Sequence, residues 1–260
     1  MTPYYETPLG KLYHGDCLEI MPELEPVDLV LTDPPYGVTS CSWDSTIQLD
    51  LMWKQLERII KYNGPVVMFG NQPFTTTLIS SNIKNFKYCW TWKKNYPTGI
   101  SLSKYQPMRV IEDICVFYNG KITFNKQMKD CADSVKKQWK DNEKMELPSQ
   151  IKGSKEHACS GAVHIVRHRV NPINFLDIKS VNRSTGTLHP TQKPVGLMEY
   201  LIKTYTNDNE TILDFCIGSG TTAIACERLK RRWIGIEIEE KYCEIAAKRI
   251  EQERKQRKLF

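Results

Sequence analysis

The sequence predicts a doubly wound α/β fold, a mostly parallel sheet covered by helices on both faces, carrying one polar insertion. Three observations predict it. Short apolar runs such as Leu29-Val30-Leu31 and "PVVMFG" (65–70) read as buried strands, since runs of this length bounded by turn residues are too short for helices. Segments of helical periodicity alternate with them, and that alternation implies parallel strands joined by crossovers. From about 121 to 185 the alternation fades into a polar, lysine-rich stretch, which reads as an insertion or small lobe.

Each element has its own signal. Lys11–His14 reads as a strand ending at Gly15-Asp16, and Cys17–Leu24 as a helix. The strand from Leu29 runs into Asp33 and stops, because Pro34 and Pro35 have no N–H to donate and each fixes φ at about −65°. In "DLMWKQLERIIKY" (50–62), Leu51, Leu56, Ile59 and Ile60 fall near one helical face. Asn63-Gly64 is a turn, strands are predicted at Phe86–Trp92 and Asp113–Tyr118, and Asn119-Gly120 has the chemistry of a hairpin turn. Pro194 opens a helix in which Leu197, Met198, Leu201, Ile202 and Tyr205 repeat at helical spacing. A compact unit follows: strand Thr211–Phe215, loop Cys216–Gly220, helix Thr221–Leu229, strand Trp233–Ile238.

Length and composition bound the rest. A chain of 260 residues, 40% hydrophobic and 25% charged, fits one large globular domain with an insertion. It has no apolar run of about 18 residues, which argues against a membrane span, and "MTPYYE" lacks the pattern of a signal peptide, so a cytoplasmic protein is expected. Nine cysteines without a Cys-x-x-Cys pair argue for reduced thiols and against a zinc site. The net charge of +6 and pI near 8.7 are compatible with nucleic acid. Between 126 and 170, ten basic residues face six acidic ones, a local net of +4.

The unit "ILDFCIGSGTTAIACERLKRRWIGIEI" (212–238) has the form of a dinucleotide-type βαβ. Gly218-Ser219-Gly220 with Ala223 satisfies G-x-G-x-x-G/A, lies after a strand and opens a helix. Glu237 ends the second strand, about 20 residues on, the spacing at which an acid reaches ribose hydroxyls. Adenosine binding follows. Asp214, at the strand end, suits a ligand's ammonium group and repels a pyrophosphate, which favours S-adenosylmethionine over NAD.

"DPPY" (33–36) and "DFCIGSGTT" (214–222) together resemble the amino-methyltransferases of DNA, which methylate adenine N6 or cytosine N4. The tetrapeptide precedes the glycine loop, and "HPTQKP" (189–194) stands just before that loop; this order resembles the family's β group. "WTWKK" and "EDICVFYNG" look like its later strands, so the resemblance covers most of the chain outside 121–185. It implies a Rossmann-like S-adenosylmethionine-dependent methyltransferase fold. It also implies a catalytic loop of Asp33, Pro34, Pro35 and Tyr36, with Asp33 and the Pro34 carbonyl gripping the target amine and Tyr36 stacking on a flipped base. Asp214, Phe215, Gly218 and Gly220 are then expected to line the cofactor, Glu237 to hold its ribose, Asp16 to lie near its adenine, and Thr191 and Lys193 to contact its methionyl end. Asp16 also reads as a helix N-cap, and 189–194 as a plain lead-in to the helix. The chain has Asp214-Phe215-Cys216 where the family more often has Asp-Pro-Phe. No Pro-Cys dipeptide occurs, which argues against cytosine-C5 chemistry.

The segment 121–185 falls where such enzymes carry their target recognition region; its lysines suit phosphates, or a solvated face, and Arg167, Arg169, Asn171 and Asn174 are candidate base contacts. Trp90, Trp92 and Tyr105 are candidates for the substrate channel. The expected activity is site-specific adenine-N6 methylation of double-stranded DNA, with cytosine N4 as the alternative and a homodimer or a cognate endonuclease as partners. Aspartate at the first tetrapeptide position favours adenine. Methylation of RNA or a protein glutamine is disfavoured by motif order. A non-catalytic DNA-binding subunit is disfavoured by the intact aspartate and glycines.

Overall fold

The computed structural model describes residues 1–37, 47–130, 169–181 and 192–257. Two units are distinguished: Met1–Asn125 with Asn174–Phe260, and Lys126–Ile173. The first contains β1 (Tyr5–Glu6), β2 (Gly10–His14), α1 (Cys17–Ile20), β3 (Leu29–Thr32), α2 (Leu49–Ile59), β4 (Val66–Gly70), α3 (Phe74–Ser81), β5 (Phe86–Thr98) and β6 (Arg109–Phe117). In the second, β7 (Lys129–Asp130) pairs antiparallel with β8 (Arg169–Val170), Lys129 opposite Val170. The first unit resumes with β9 (Phe175–Asp177), α4 (Val195–Tyr205), β10 (Thr211–Asp214), α5 (Thr221–Leu229), β11 (Arg232–Glu237) and α6 (Glu240–Arg257).

The first unit's strands form one sheet in the order β1-β2-β11-β10-β3-β4-β6-β5-β9. Its centre, β2-β11-β10-β3-β4, is parallel, while β6 is antiparallel to both β4 and β5. Alternation along the strands sorts the core into two layers. Leu29, Leu31, Val67 and Phe69 pack under α4, α5 and α6. Val30, Val66, Met68 and Leu213 pack under α1, α2 and α3. The fold is therefore doubly wound, as the strand–helix alternation predicts.

Local departures from the sequence reading have simple causes. Pro22 lies within the predicted helix Cys17–Leu24, and the chain tightens into a 3₁₀ turn at Met21–Glu23. On α2 the buried face is Met52, Trp53, Leu56 and Ile59, with Leu51 exposed. β5 and β6 are longer than expected and form their own hairpin around 99–108; Asn119-Gly120 follows β6 without joining it to a neighbouring strand. Trp90 and Trp92 are core residues, their indole N–H groups bonded to Tyr205 Oη (2.6 Å) and the Ile178 carbonyl (2.7 Å), while Tyr105 is exposed. No helix among the described residues is long and apolar enough to cross a membrane, and no group of three metal-ligating side chains occurs among them.

Candidate active site

β3 and β10 are parallel neighbours, with Leu29 opposite Ile212 and Val30 opposite Leu213. From β10 the chain passes through α5 on one face to β11. From β3 it reaches α2 on the other face and then β4. Strand order reverses between them, and an open α/β sheet binds ligands in the crevice at such a point, beyond the carboxyl ends. The "DPPY" loop and the glycine loop both leave the sheet here. Thr32 Oγ1 ties them together, donating to Asp214 Oδ1 at 2.8 Å.

Asp33 is held on both carboxylate oxygens. The Tyr36 hydroxyl donates to Oδ1 at 2.5 Å, and the Lys193 ammonium to Oδ2 at 2.5 Å. Lys193 comes from the turn before α4, and its side chain is only 8% exposed. It also pairs with Glu112 Oε1 at 2.9 Å and lies 4.9 Å from the centre of the Phe69 ring. Glu112 Oε1 accepts from Tyr36 as well (3.2 Å), and its other oxygen takes Lys94 at 3.4 Å. Burial raises the Asp33 carboxyl above the usual range; Lys193 opposes this and Glu112 adds to it. At Glu112 burial also disfavours the anion, but two ammonium groups outweigh it and its carboxyl sits low. Burial likewise works against the Lys193 cation, and the two carboxylates outweigh it, so its pKa is raised. The Tyr36 ring is stacked on Phe74, centroids 5.0 Å apart at 28°.

On the glycine side, Gly218 and Gly220 have φ of 53° and 81°, a region that disfavours side chains. A Cβ at Gly220 would stand 2.9 Å from Ala246 Cβ, so α6 closes against this turn. Arg249 of α6 pins it by donating to the Ser219 carbonyl and to Ser219 Oγ (2.8 Å). Glu237 Oε2 accepts from the Gly218 N–H (2.8 Å) and Oε1 from the Glu239 N–H (3.0 Å); burial raises its carboxyl. Asp214 is 3% exposed and accepts from Thr32, from Thr222 Oγ1 (2.5 Å) and from the Cys216 N–H (3.2 Å). Burial pushes its carboxyl up to about 7 against these three donors. Phe215 is buried in the core. Asp16 is the N-cap of α1, accepting from the Leu18 N–H at 2.8 Å.

The sequence-predicted residues thus fall into groups. Asp33, Tyr36 and Lys193 are brought into one hydrogen-bonded cluster, with Lys193 on Asp33 and Glu112. Asp214, Gly218, Gly220 and Glu237 are brought together at the neighbouring strand ends. Thr191 and Arg167 lie outside the described residues, as does the side chain of Arg169. Asn171 is exposed in the second unit. Asn174 belongs to the first, where its carbonyl accepts from the Thr91 N–H (2.8 Å) and its amide donates to the Cys89 carbonyl (3.4 Å). Glu112, Lys94 and Phe74 were not singled out by the sequence reading; the visible signal for Glu112 is the adjacent carboxylate pair Glu112-Asp113 within the strand pattern at 110–117.

These residues fit an adenosyl sulfonium ligand. The Gly218 and Glu239 N–H groups do not exhaust the Glu237 carboxylate, which offers about four acceptor sites, so capacity remains for a ribose hydroxyl. Gln192 Oε1 is buried without a donor among the described residues, an acceptor open to a ligand N–H beside Lys193.

The family model described as DNA methylase matches residues 27–248, which takes in both loops and the strands that carry them. The type II methyltransferase M.HpaI of Haemophilus parainfluenzae is 27% identical over 94% of this chain and 74% of its own length. M.BamHI of Bacillus amyloliquefaciens is 29% identical over 99% of this chain, which spans 61% of that protein. Among solved structures, the complex of M1.HpyAVI with S-adenosylmethionine superposes with a TM-score of 0.62 at 26% identity, over 93% of this chain and all of the other. With the tetrapeptide and the glycine loop at adjoining strand ends, and a family match spanning both, the chain belongs to the N6/N4 DNA methylase family.

Proposed function

We propose that the protein transfers a methyl group from S-adenosylmethionine to the N6 amine of an adenine rotated out of duplex DNA, at one recognition site. The observation that carries this reading is Asp33 held at the tip of β3 directly beside the glycine loop of β10. The donor, when bound, supplies an electrophilic methyl on a sulfonium.

The remaining chemistry belongs to this chain. Adenine's exocyclic amine is a poor nucleophile because its lone pair is delocalised into the ring. Asp33 and the Pro34 carbonyl each accept one of its N–H groups, and no donor among the described residues reaches that carbonyl. Two fixed acceptors favour a pyramidal nitrogen whose lone pair is free to attack. Pro34 and Pro35 keep the acceptors from having to be ordered at each turnover. Tyr36 is fixed by Phe74 on one face, and the flipped base is assigned to the other. Aspartate at the first tetrapeptide position supports adenine over cytosine.

The segment 121–185 is proposed as the target recognition region, with Arg167, Arg169 and Asn171 toward base edges and its lysines toward phosphates. The type II relatives support a cognate endonuclease as partner, and a homodimer is the proposed assembly. Modification-aware sequencing and nucleoside mass spectrometry of DNA from cells expressing the protein test the reading. N6-methyladenine confined to one motif is expected. N4-methylcytosine alone would overturn the choice of base, and unmodified DNA alongside cofactor-bound protein would overturn methyl transfer.

A further inference from the structure

Asp33 is asked to accept an N–H from the target, yet the structure shows both of its oxygens already engaged. Lys193 sits on Oδ2 with almost no solvent around it. An amine that takes the Lys193 site on Oδ2 competes with a buried ammonium, and a buried ammonium that loses its anion is costly. Glu112 bears on that cost. Its Oε1 accepts from Lys193 and from Tyr36, the same two groups that hold Asp33, while Lys94 neutralises its second oxygen. With two carboxylates and two ammonium groups the cluster is neutral overall.

We propose that Lys193 occupies on Asp33 the position the target amine takes, and that Glu112 is the positioning residue that keeps Lys193 and Tyr36 paired when Asp33 passes to the substrate. This deepens the methyl-transfer reading and rests on Asp33 being the amine acceptor. Glu112 touches neither substrate nor cofactor in this scheme. It acts by giving two of Asp33's partners a second acceptor, so the exchange strands no charge.

The scheme distinguishes itself by pH. The charged and titratable groups facing Asp33 are Lys193, Glu112 and Tyr36, with Asp214 on the neighbouring strand and Lys94 behind Glu112. Lys193 favours the Asp33 anion and Glu112 disfavours it. Turnover falls as pH drops through the Asp33 pKa, so Lys193→Met moves the acid limb of the kcat profile to higher pH. Glu112→Gln moves it to lower pH.

The experiment measures kcat against pH, the KM for DNA and cofactor affinity for Lys193→Met, Glu112→Gln and Lys193→Arg, with Asp33→Ala as reference. Both neutralising variants are expected to lose roughly 10²-fold in plateau kcat, as for a misplaced reacting group, and Glu112→Gln is expected to leave cofactor affinity unchanged. Their acid limbs are expected to move in opposite directions, and Lys193→Arg, which keeps the charge, to leave the limb in place. The double variant Lys193→Met/Glu112→Gln keeps the cluster neutral and is expected to be no slower than the slower single; should one single fail to fold, the direction in which the other's acid limb moves from that of the unsubstituted protein still tests the scheme. Unmoved or parallel acid limbs, or additive losses in the double variant, would overturn the proposal. An active Asp33→Ala protein would instead overturn the methyl-transfer reading beneath it.

Discussion

Asp33 and Asp214 end neighbouring parallel strands, and their surroundings are opposite in kind. Asp214 is 3% exposed and is held by three neutral donors, two threonine hydroxyls and one peptide N–H. Asp33 keeps 18% of its side-chain exposure and is held by a cation and a phenol, each with an alternative acceptor on Glu112. Neutral donors with no second partner lock a carboxylate in place. Charged donors with somewhere else to go leave it exchangeable. One strand end is built as a fastening and the other as a working group, and the difference lies in the partners.

The comparison breaks most visibly at Asp33 itself. Asp33→Ala is expected to reduce turnover by at least ~10²–10³-fold, the cost of removing one preorganised group facing the reacting atom. Its urea midpoint is expected to move little, because Lys193 retains Glu112. Asp214→Ala is expected to do the reverse in order of cause. Two hydroxyls and an N–H lose their acceptor in a dry site, at about 3 kcal/mol in total, and activity falls because the glycine loop loosens. Urea melts alongside single-turnover methylation separate the two. Equal loss of stability in both variants would erase the distinction.

The pH dependence of stability sharpens it. Asp214 has a folded carboxyl at about 7, above the ordinary carboxylate range of the unfolded chain. Across that window the folded state binds a proton that the unfolded state does not. Its contribution to stability is thus present in full at low pH and declines as pH rises toward neutrality, by on the order of 4 kcal/mol at most. Asp214→Asn is expected to flatten this slope in denaturant melts from about pH 4 to pH 8. A slope of unchanged steepness in that variant would place the titration elsewhere.

How much of this was legible beforehand follows the range of the interactions. The alternation of strands and helices, the prolines that stop β3 and the glycines at positive φ are local features, and the sequence shows them directly. The two loops become neighbours by strand order, which an α/β topology restricts to a few arrangements. Partnerships were another matter. Lys193 lies 160 residues from Asp33, and nothing in "HPTQKP" marks its side chain for a carboxylate rather than a ligand. Glu112 and Lys94 enter from the antiparallel strands β6 and β5, whose pairing fixes which side chains turn inward. Asp214 illustrates the converse. A carboxylate beside a glycine loop reads as a ligand contact until Thr32 and Thr222, from different elements, are seen to occupy it.

The smallest effect tests the fastening alone. Thr222→Val removes one hydroxyl of nearly the same shape from Asp214 Oδ2, leaving Thr32 and the Cys216 N–H on Oδ1. A hydroxyl bonded to an ionised carboxylate is worth more than one bonded to a neutral acid, so the loss depends on protonation. It is expected to be roughly 1 kcal/mol near pH 5, where Asp214 is protonated in the folded state, and roughly 2 kcal/mol near pH 8. Because Thr222 favours the anion, its removal raises the Asp214 carboxyl further and shifts the decline in stability to higher pH. The acid limb of turnover, set by Asp33, is expected to stay where it is. If Thr222→Val moved that limb as far as Lys193→Met does, the two strand ends would titrate as one unit, and the division between fastening and working group would fail.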